Sequence, residues 1–166
     1  MGKNKGKHKE QTEKTNAMRL LEAAGISYAC HFYEHGKEAV DGLSVAKQTG
    51  QNPEQVFKTL VTRSGNEFFV FVIPVALELD LKAAARTAGV KSIEMLHVNE
   101  LLKTTGYIRG GCSPIGMKKL FPTFLHESCL CFDTILVSGG KIGVQVEISP
   151  SELLRITKGK TAPVAV

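Results

Sequence analysis

No stretch of this sequence is apolar for long enough to cross a bilayer as a helix. It also lacks the profile of a secretory leader, because its first residues are polar and lysine-rich with no apolar segment behind them. No membrane association and a cytoplasmic location are therefore expected. None of the four cysteines (Cys30, Cys112, Cys129 and Cys131) forms a C-x-x-C pair, and Cys129-x-Cys131 is too close for a usual zinc half-site. Reduced, mostly structural thiols and no bound metal follow as expectations. His31 and His35 are four apart, but they fall in a strand and its exit and would not share a helical face. No Walker A loop, G-x-G-x-x-G fingerprint or G-x-S-x-G elbow is present, so no nucleotide or hydrolase motif is available by pattern.

What is there is an ordinary globular composition. The 166 residues are 43% apolar and 22% charged, enough for one domain with a real core. Of the net charge of +5, residues 1–14 hold +3. That stretch has no hydrophobic periodicity and reads as a disordered basic tail. A mildly basic body behind a basic tail fits a polyanionic partner such as RNA.

The pattern predicts short elements of both kinds. Thr15 or Asn16 caps a helix that Gly25 ends, and residues 26–34 alternate as a strand. After a loop over 36–42, Ser44 caps a second helix through Thr49, and Asn52-Pro53-Glu54 opens another. Residues 56–63 and 67–73 form a hairpin. Asp80 caps a helix over 81–88 that Gly89 stops; 92–95 is a short strand, and Asn99 caps a brief helix to Thr104. Strands follow at 123–127, 134–138 and 143–148. Ser149-Pro150-Ser151-Glu152 is a capping box for a last helix, and residues 161–166 are expected to be loose. About seven strands among short helices argue against a doubly wound sheet and for a single α+β domain with a mixed, barrel-like sheet.

Two features carry chemistry. The run Gly106-Tyr107-Ile108-Arg109-Gly110-Gly111-Cys112-Ser113-Pro114-Ile115-Gly116 combines four glycines with large apolar residues. Glycines in a run let a backbone approach a ligand and turn several N–H groups one way, which suits a phosphate or a polarised carbonyl; a tight buried turn is the plainer reading. Cys112 beside Ser113 raises a covalent nucleophile, but no histidine stands at a diagnostic spacing. Lys58 sits in Gln55-Val56-Phe57-Lys58-Thr59-Leu60-Val61, an otherwise apolar strand, where it must reach water, an anion or a ligand. Thr59 points to the opposite face. Tyr33 and Tyr107 are substrate-facing hydroxyls or core aromatics.

In order along the chain, Tyr33-Glu34-His35, Gln55 to Leu60, Leu79-Asp80-Leu81-Lys82, Thr105-Gly106-Tyr107, Gly110 to Gly116 and Ser138-Gly139-Gly140-Lys141 resemble the YbaK-type aminoacyl-tRNA deacylases. These are related to the editing domain inserted in bacterial prolyl-tRNA synthetases. The resemblance covers residues 15–160. It implies an α+β domain with a barrel-like sheet, no metal and no organic cofactor. It also implies removal of cysteine from mischarged tRNA for proline (or tRNA for cysteine) in trans, with prolyl-tRNA synthetase as a possible partner. In that branch the substrate's own thiol attacks its ester and expels the tRNA. By motif position, Lys58 would hold the terminal adenosine or its phosphate, and Gly110 and Gly111 would present N–H groups to the ester. Tyr33, Thr59, Tyr107, Cys112, Ser113 and Gln145 would line the substrate pocket. Some relatives carry Asp where this chain has Gln145. Two other readings stay open: an Ala-tRNA deacylase of the ProX-like branch, and a noncatalytic tRNA- or synthetase-binding module.

Overall fold

A computed structural model of the chain describes residues 13–166. The expected disordered tail lies almost wholly outside these residues. The elements are α1 (Asn16–Ala23), β1 (Ala29–Phe32), α2 (Gly42–Thr49), β2 (Phe57–Ser64), β3 (Glu67–Pro74), α3 (Leu81–Ala88) and β4 (Glu94–Met95). They continue with α4 (Val98–Thr105), β5 (Thr123–His126), a short 3₁₀ turn (Glu127–Cys131), β6 (Ile135–Ser138), β7 (Val144–Ile148), α5 (Pro150–Thr157) and β8 (Lys160–Ala162).

The strands make two sheets, ordered β1-β7-β6 and β4-β2-β3-β5-β8. Pairing is antiparallel except that β5 runs parallel to both β3 and β8, so the α+β mixed sheet is as expected. A bridge between Val56 and Leu136 joins the sheets where β2 begins. The β2–β3 hairpin turns on Gly65-Asn66, with Ser64 opposite Glu67. Both faces of β3 are covered, which explains its unbroken apolar run. Val70 and Val72 face one core with Leu21, Ile115, Leu125 and Val146. Phe69, Phe71 and Ile73 face a second core under α3, with Ala84, Ala85 and Val164. Phe71 stacks on Phe124 at 5.4 Å.

Several boundaries differ from expectation. Asp41, not Ser44, caps α2: its carboxylate accepts the Ser44 N–H at 2.9 Å. Asn52 does not open a helix; its side chain accepts the Glu54 N–H at 3.0 Å and closes a turn. His97, not Asn99, is the residue before α4.

The C-terminal end is not loose. Residues Lys160–Ala162 form β8, and Val164 is fully buried. Glu78 and Val166 exchange backbone hydrogen bonds at 2.9 Å, and the Asp80 N–H reaches the Val164 carbonyl at 2.8 Å. His126 Nδ1 accepts from the N–H groups of Val164 and Ala165 at 3.3 and 3.2 Å. Every one of these partners is distant in sequence, which is why six short residues gave no local sign of it.

Candidate active site

A cleft of about 1010 Å³ opens where the two sheets separate. Its spine is the first half of β2. In an antiparallel ladder backbone groups point alternately to either side. Val75 N–H bonds to Val56 O on the β3 side. On the other side Leu136 N–H takes Gln55 O, and Leu96 N–H takes Val61 O. Strand β4 joins only at Thr62 and Arg63. Between these points no strand among the described residues pairs with the edge of β2 from Phe57 to Leu60. The cleft lies along that edge, so Lys58 and Thr59 both border it although they project to opposite faces.

Lys58 makes no ion pair among the described residues. Thr59 Oγ1 is fully shielded and has no hydrogen-bond partner among the described residues. A buried hydroxyl without a partner costs about 1–3 kcal/mol, which singles Thr59 out among the residues bordering the cleft. Tyr33 borders the same space, held by its N–H on Gly143 O at 3.0 Å. Gln145, on β7, is buried at the floor. Its Oε1 accepts from Gln51 Nε2 at 2.9 Å, while Gln51 Oε1 is shielded without a partner among the described residues.

The glycine run leaves α4 through Gly106, whose φ of 87° ends the helix. Gly110 and Gly111 mark a crossing of three backbones. A Cβ on Gly110 would sit 2.6 Å from Ala39 Cβ, and its φ of 85° is left-handed. A Cβ on Gly111 would lie 2.9–3.0 Å from the backbone of Lys141 and Ile142. Gly110 borders the cleft and Gly111 does not. Moreover, the Gly111 N–H bonds to Ile108 O at 3.0 Å, so it is not offered to a ligand. Of the two glycines expected to present donors, Gly111 has its N–H engaged within the loop, and Gly110 is the one on the cleft wall.

Two expected pocket residues are elsewhere. The Tyr107 hydroxyl donates to Ile115 O inside the core. Ser113 is fully buried, and its Oγ accepts the Ile115 N–H at 3.2 Å. Both fold the loop rather than line the cleft. Cys112 does reach the cleft wall, but burial pushes its thiol up to about 12. A thiol so protonated at neutral pH is a poor nucleophile. No histidine bonds to it among the described residues: His31 pairs with Glu147 at 2.8 Å, His35 with Gly36 O, and His126 with the C-terminal end.

The sequence reading missed the rest of the lining. Lys37 and Arg109 add positive charge, and of the two acids present, Glu38 and Asp41, the second has both oxygens bonded to Ser44. Leu43, Val98, Leu102 and Ile108 border the cleft while remaining 49–59% exposed. Large apolar side chains at i and i+4 of α4 that face open space, as Val98 and Leu102 do, were a readable sign of this rim.

The chain is similar to several known proteins. A protein of Enterococcus faecalis (strain ATCC 700802 / V583), EbsC, named as a candidate Cys-tRNA(Pro)/Cys-tRNA(Cys) deacylase, is 46% identical over 158 residues. The match covers 94% of this chain and 96% of that protein. YwhH of Bacillus subtilis (strain 168), an uncharacterised protein, is 28% identical over 69% of this chain and 73% of its own. Among solved structures, a candidate trans-editing enzyme for prolyl-tRNA synthetase superposes with a TM-score of 0.78 at 24% identity, over 93% of this chain and 99% of that one. A hypothetical protein reaches 0.82 at 22% identity, over 92% and 100%. The aminoacyl-tRNA editing domain matches residues 37–156, and the chain belongs to that family.

Proposed function

We propose that this protein deacylates Cys-tRNA for proline, and Cys-tRNA for cysteine, in trans. The observation that carries the reading is the open edge of β2, where the unpaired Lys58 and the partnerless Thr59 hydroxyl border one cleft. The relative named as a candidate Cys-tRNA deacylase, 46% identical along nearly the whole chain, supports the substrate.

On this reading the terminal adenosine enters between Leu43, Val98, Leu102 and Ile108, whose exposed apolar surface suits a base and ribose. Lys58 meets its phosphate or ribose oxygens. The aminoacyl ester lies against β2, with its polar atoms toward Thr59, Tyr33 and the Gly110 N–H. A Gly110 N–H placed at the ester oxygen would stabilise developing negative charge. The attacking group is the thiol of the bound cysteine. It adds to its own ester carbonyl, the C–O bond to the ribose breaks, and the tRNA leaves with its hydroxyl reprotonated. The protein supplies position and charge, worth several kcal/mol without a protein nucleophile. The raised pKa of Cys112 fits that division of labour.

The test is charging of tRNA for proline with cysteine by prolyl-tRNA synthetase, with and without this protein. Cys-tRNA should vanish on addition while Pro-tRNA persists. Persistence of Cys-tRNA would refute the proposal.

A further inference from the structure

A second concavity, of about 670 Å³, lies on the other side of α4 from the cleft. It is bounded by the β2–β3 turn, the end of α3, the end of α4 and residues 118–122. Neighbouring residues of α4 divide between the two spaces: Leu102 borders the cleft and Lys103 the groove. The charged residues lining the groove are Lys103, Lys118, Lys119 and Glu67, three cations against one acid. All three lysines are exposed. Lys118 is held in place, its Nζ donating to Lys103 O at 3.2 Å. The floor is apolar, formed in part by Phe68 and Phe121, whose rings meet edge to face at 5.5 Å.

We infer that this groove binds the sugar–phosphate backbone of the tRNA whose 3′ end enters the cleft. The inference rests on the deacylase reading for the identity of the RNA. A polyanion threaded into the cleft must pass over its surroundings, and one helix diameter, about 10–12 Å, separates the two spaces. Clustered lysines beside an apolar floor match a phosphate chain with its sugars, and lysine contacts to phosphate release counterions. Lys118, already fixed on the end of α4, loses little freedom when a phosphate arrives. Lysine contacts to phosphates hold and orient RNA without choosing its sequence.

The experiment uses the full chain and a deacylated acceptor-stem minihelix ending in CCA, with binding followed by fluorescence anisotropy at several salt concentrations. Lys103→Glu/Lys119→Glu is compared with Lys47→Glu/Lys82→Glu, an equal charge change on exposed residues outside the groove. Lys103→Gln/Lys119→Gln serves if the first variant does not fold. The groove variant should bind at least about tenfold more weakly than the control, with a salt slope shallower by about 1–2. Its hydrolysis of the cysteinyl ester of adenosine, too short to reach the groove, should match wild type. Equal binding by groove and control variants, or no measurable minihelix binding by wild type, overturns the inference. A parallel loss on the adenosine ester overturns it too, because the lysines would then serve the cleft. If wild type hydrolyses no ester at all, the deacylase reading fails, and minihelix binding still judges the groove.

Discussion

Gln51 Nε2 donates to Gln145 Oε1 across 2.9 Å, tying the turn after α2 to the strand that floors the cleft. Both partners are uncharged, so position 145 puts an amide, not a carboxylate, at the floor of this cleft. Removing one partner leaves the other shielded and unpaired. Gln145→Leu should cost about 1–3 kcal/mol by chemical denaturation. Gln51→Leu/Gln145→Leu together should cost less than the two single changes summed. Strict additivity would mean that the bond contributes nothing.

Lys58→Ala removes the unpaired cation at the β2 edge without breaking an ion pair. Thermal stability should stay close to wild type, because nothing in the fold leans on this charge. A charge-assisted hydrogen bond to substrate contributes about 1.5–3 kcal/mol, so kcat/KM should fall about 10- to 100-fold.

Cys112 and Ser113 form the opposite case. Cys112→Ala should keep activity within a few-fold of wild type, since the thiol is protonated and has no base beside it. Its cost is a small cavity, about 1 kcal/mol of stability. Loss of all activity with an intact fold would restore a protein nucleophile.

Gly110 and Gly111 separate strain from function. Gly111→Ala drives a methyl to 2.9–3.0 Å from the Lys141–Ile142 backbone, which cannot move aside as a side chain can. It should destabilise the protein by roughly 1–3 kcal/mol. Gly110→Ala meets the Ala39 side chain and a left-handed φ as well, and shifts the backbone of the one glycine of the pair that borders the cleft. Gly110→Ala should therefore lower kcat beyond what its loss of stability explains.

His126 gives a pH dependence with a definite sign. Burial lowers its pKa from 6.5, partly offset by Glu127, and its Nδ1 must stay unprotonated to accept from Val164 and Ala165. The unfolded chain therefore takes up the proton first as pH falls. The His126 contribution is complete above about pH 6.5 and is lost as pH drops from there through the lowered folded-state value. Protection factors at the Val164 and Ala165 amides, which correct for the intrinsic pH dependence of exchange, should fall over that range, and His126→Ala should abolish the change. The carboxylates with depressed pKa values, such as Glu147, act only at lower pH.

Local signals in the sequence were reliable where the chain folds on its neighbours. Asp80 and Gly89 bracket α3, and Ser149-Pro150 opens α5, because caps are satisfied within a few residues. Lys58, Thr59 and Tyr33, singled out by motif and by a charge in an apolar strand, all border one cleft. What could not be read depended on distant partners. The C-terminal strand is held by residues 78–80 and 126, and the loop carrying Lys37 has no periodicity to mark it. Tyr107 and Ser113 were expected at the substrate pocket from the family resemblance, with a core aromatic the other reading of Tyr107. Only the three-dimensional path shows their polar atoms turned onto Ile115.

The most direct measurement is hydrolysis of Cys-tRNA for proline beside Ala-tRNA for proline, each with wild type and with Lys58→Ala. If the substrate thiol is the nucleophile and the β2 edge is the site, only Cys-tRNA is cleaved, and Lys58→Ala loses most of that activity. Equal cleavage of Ala-tRNA would contradict the thiol mechanism, and full activity in Lys58→Ala would contradict the site.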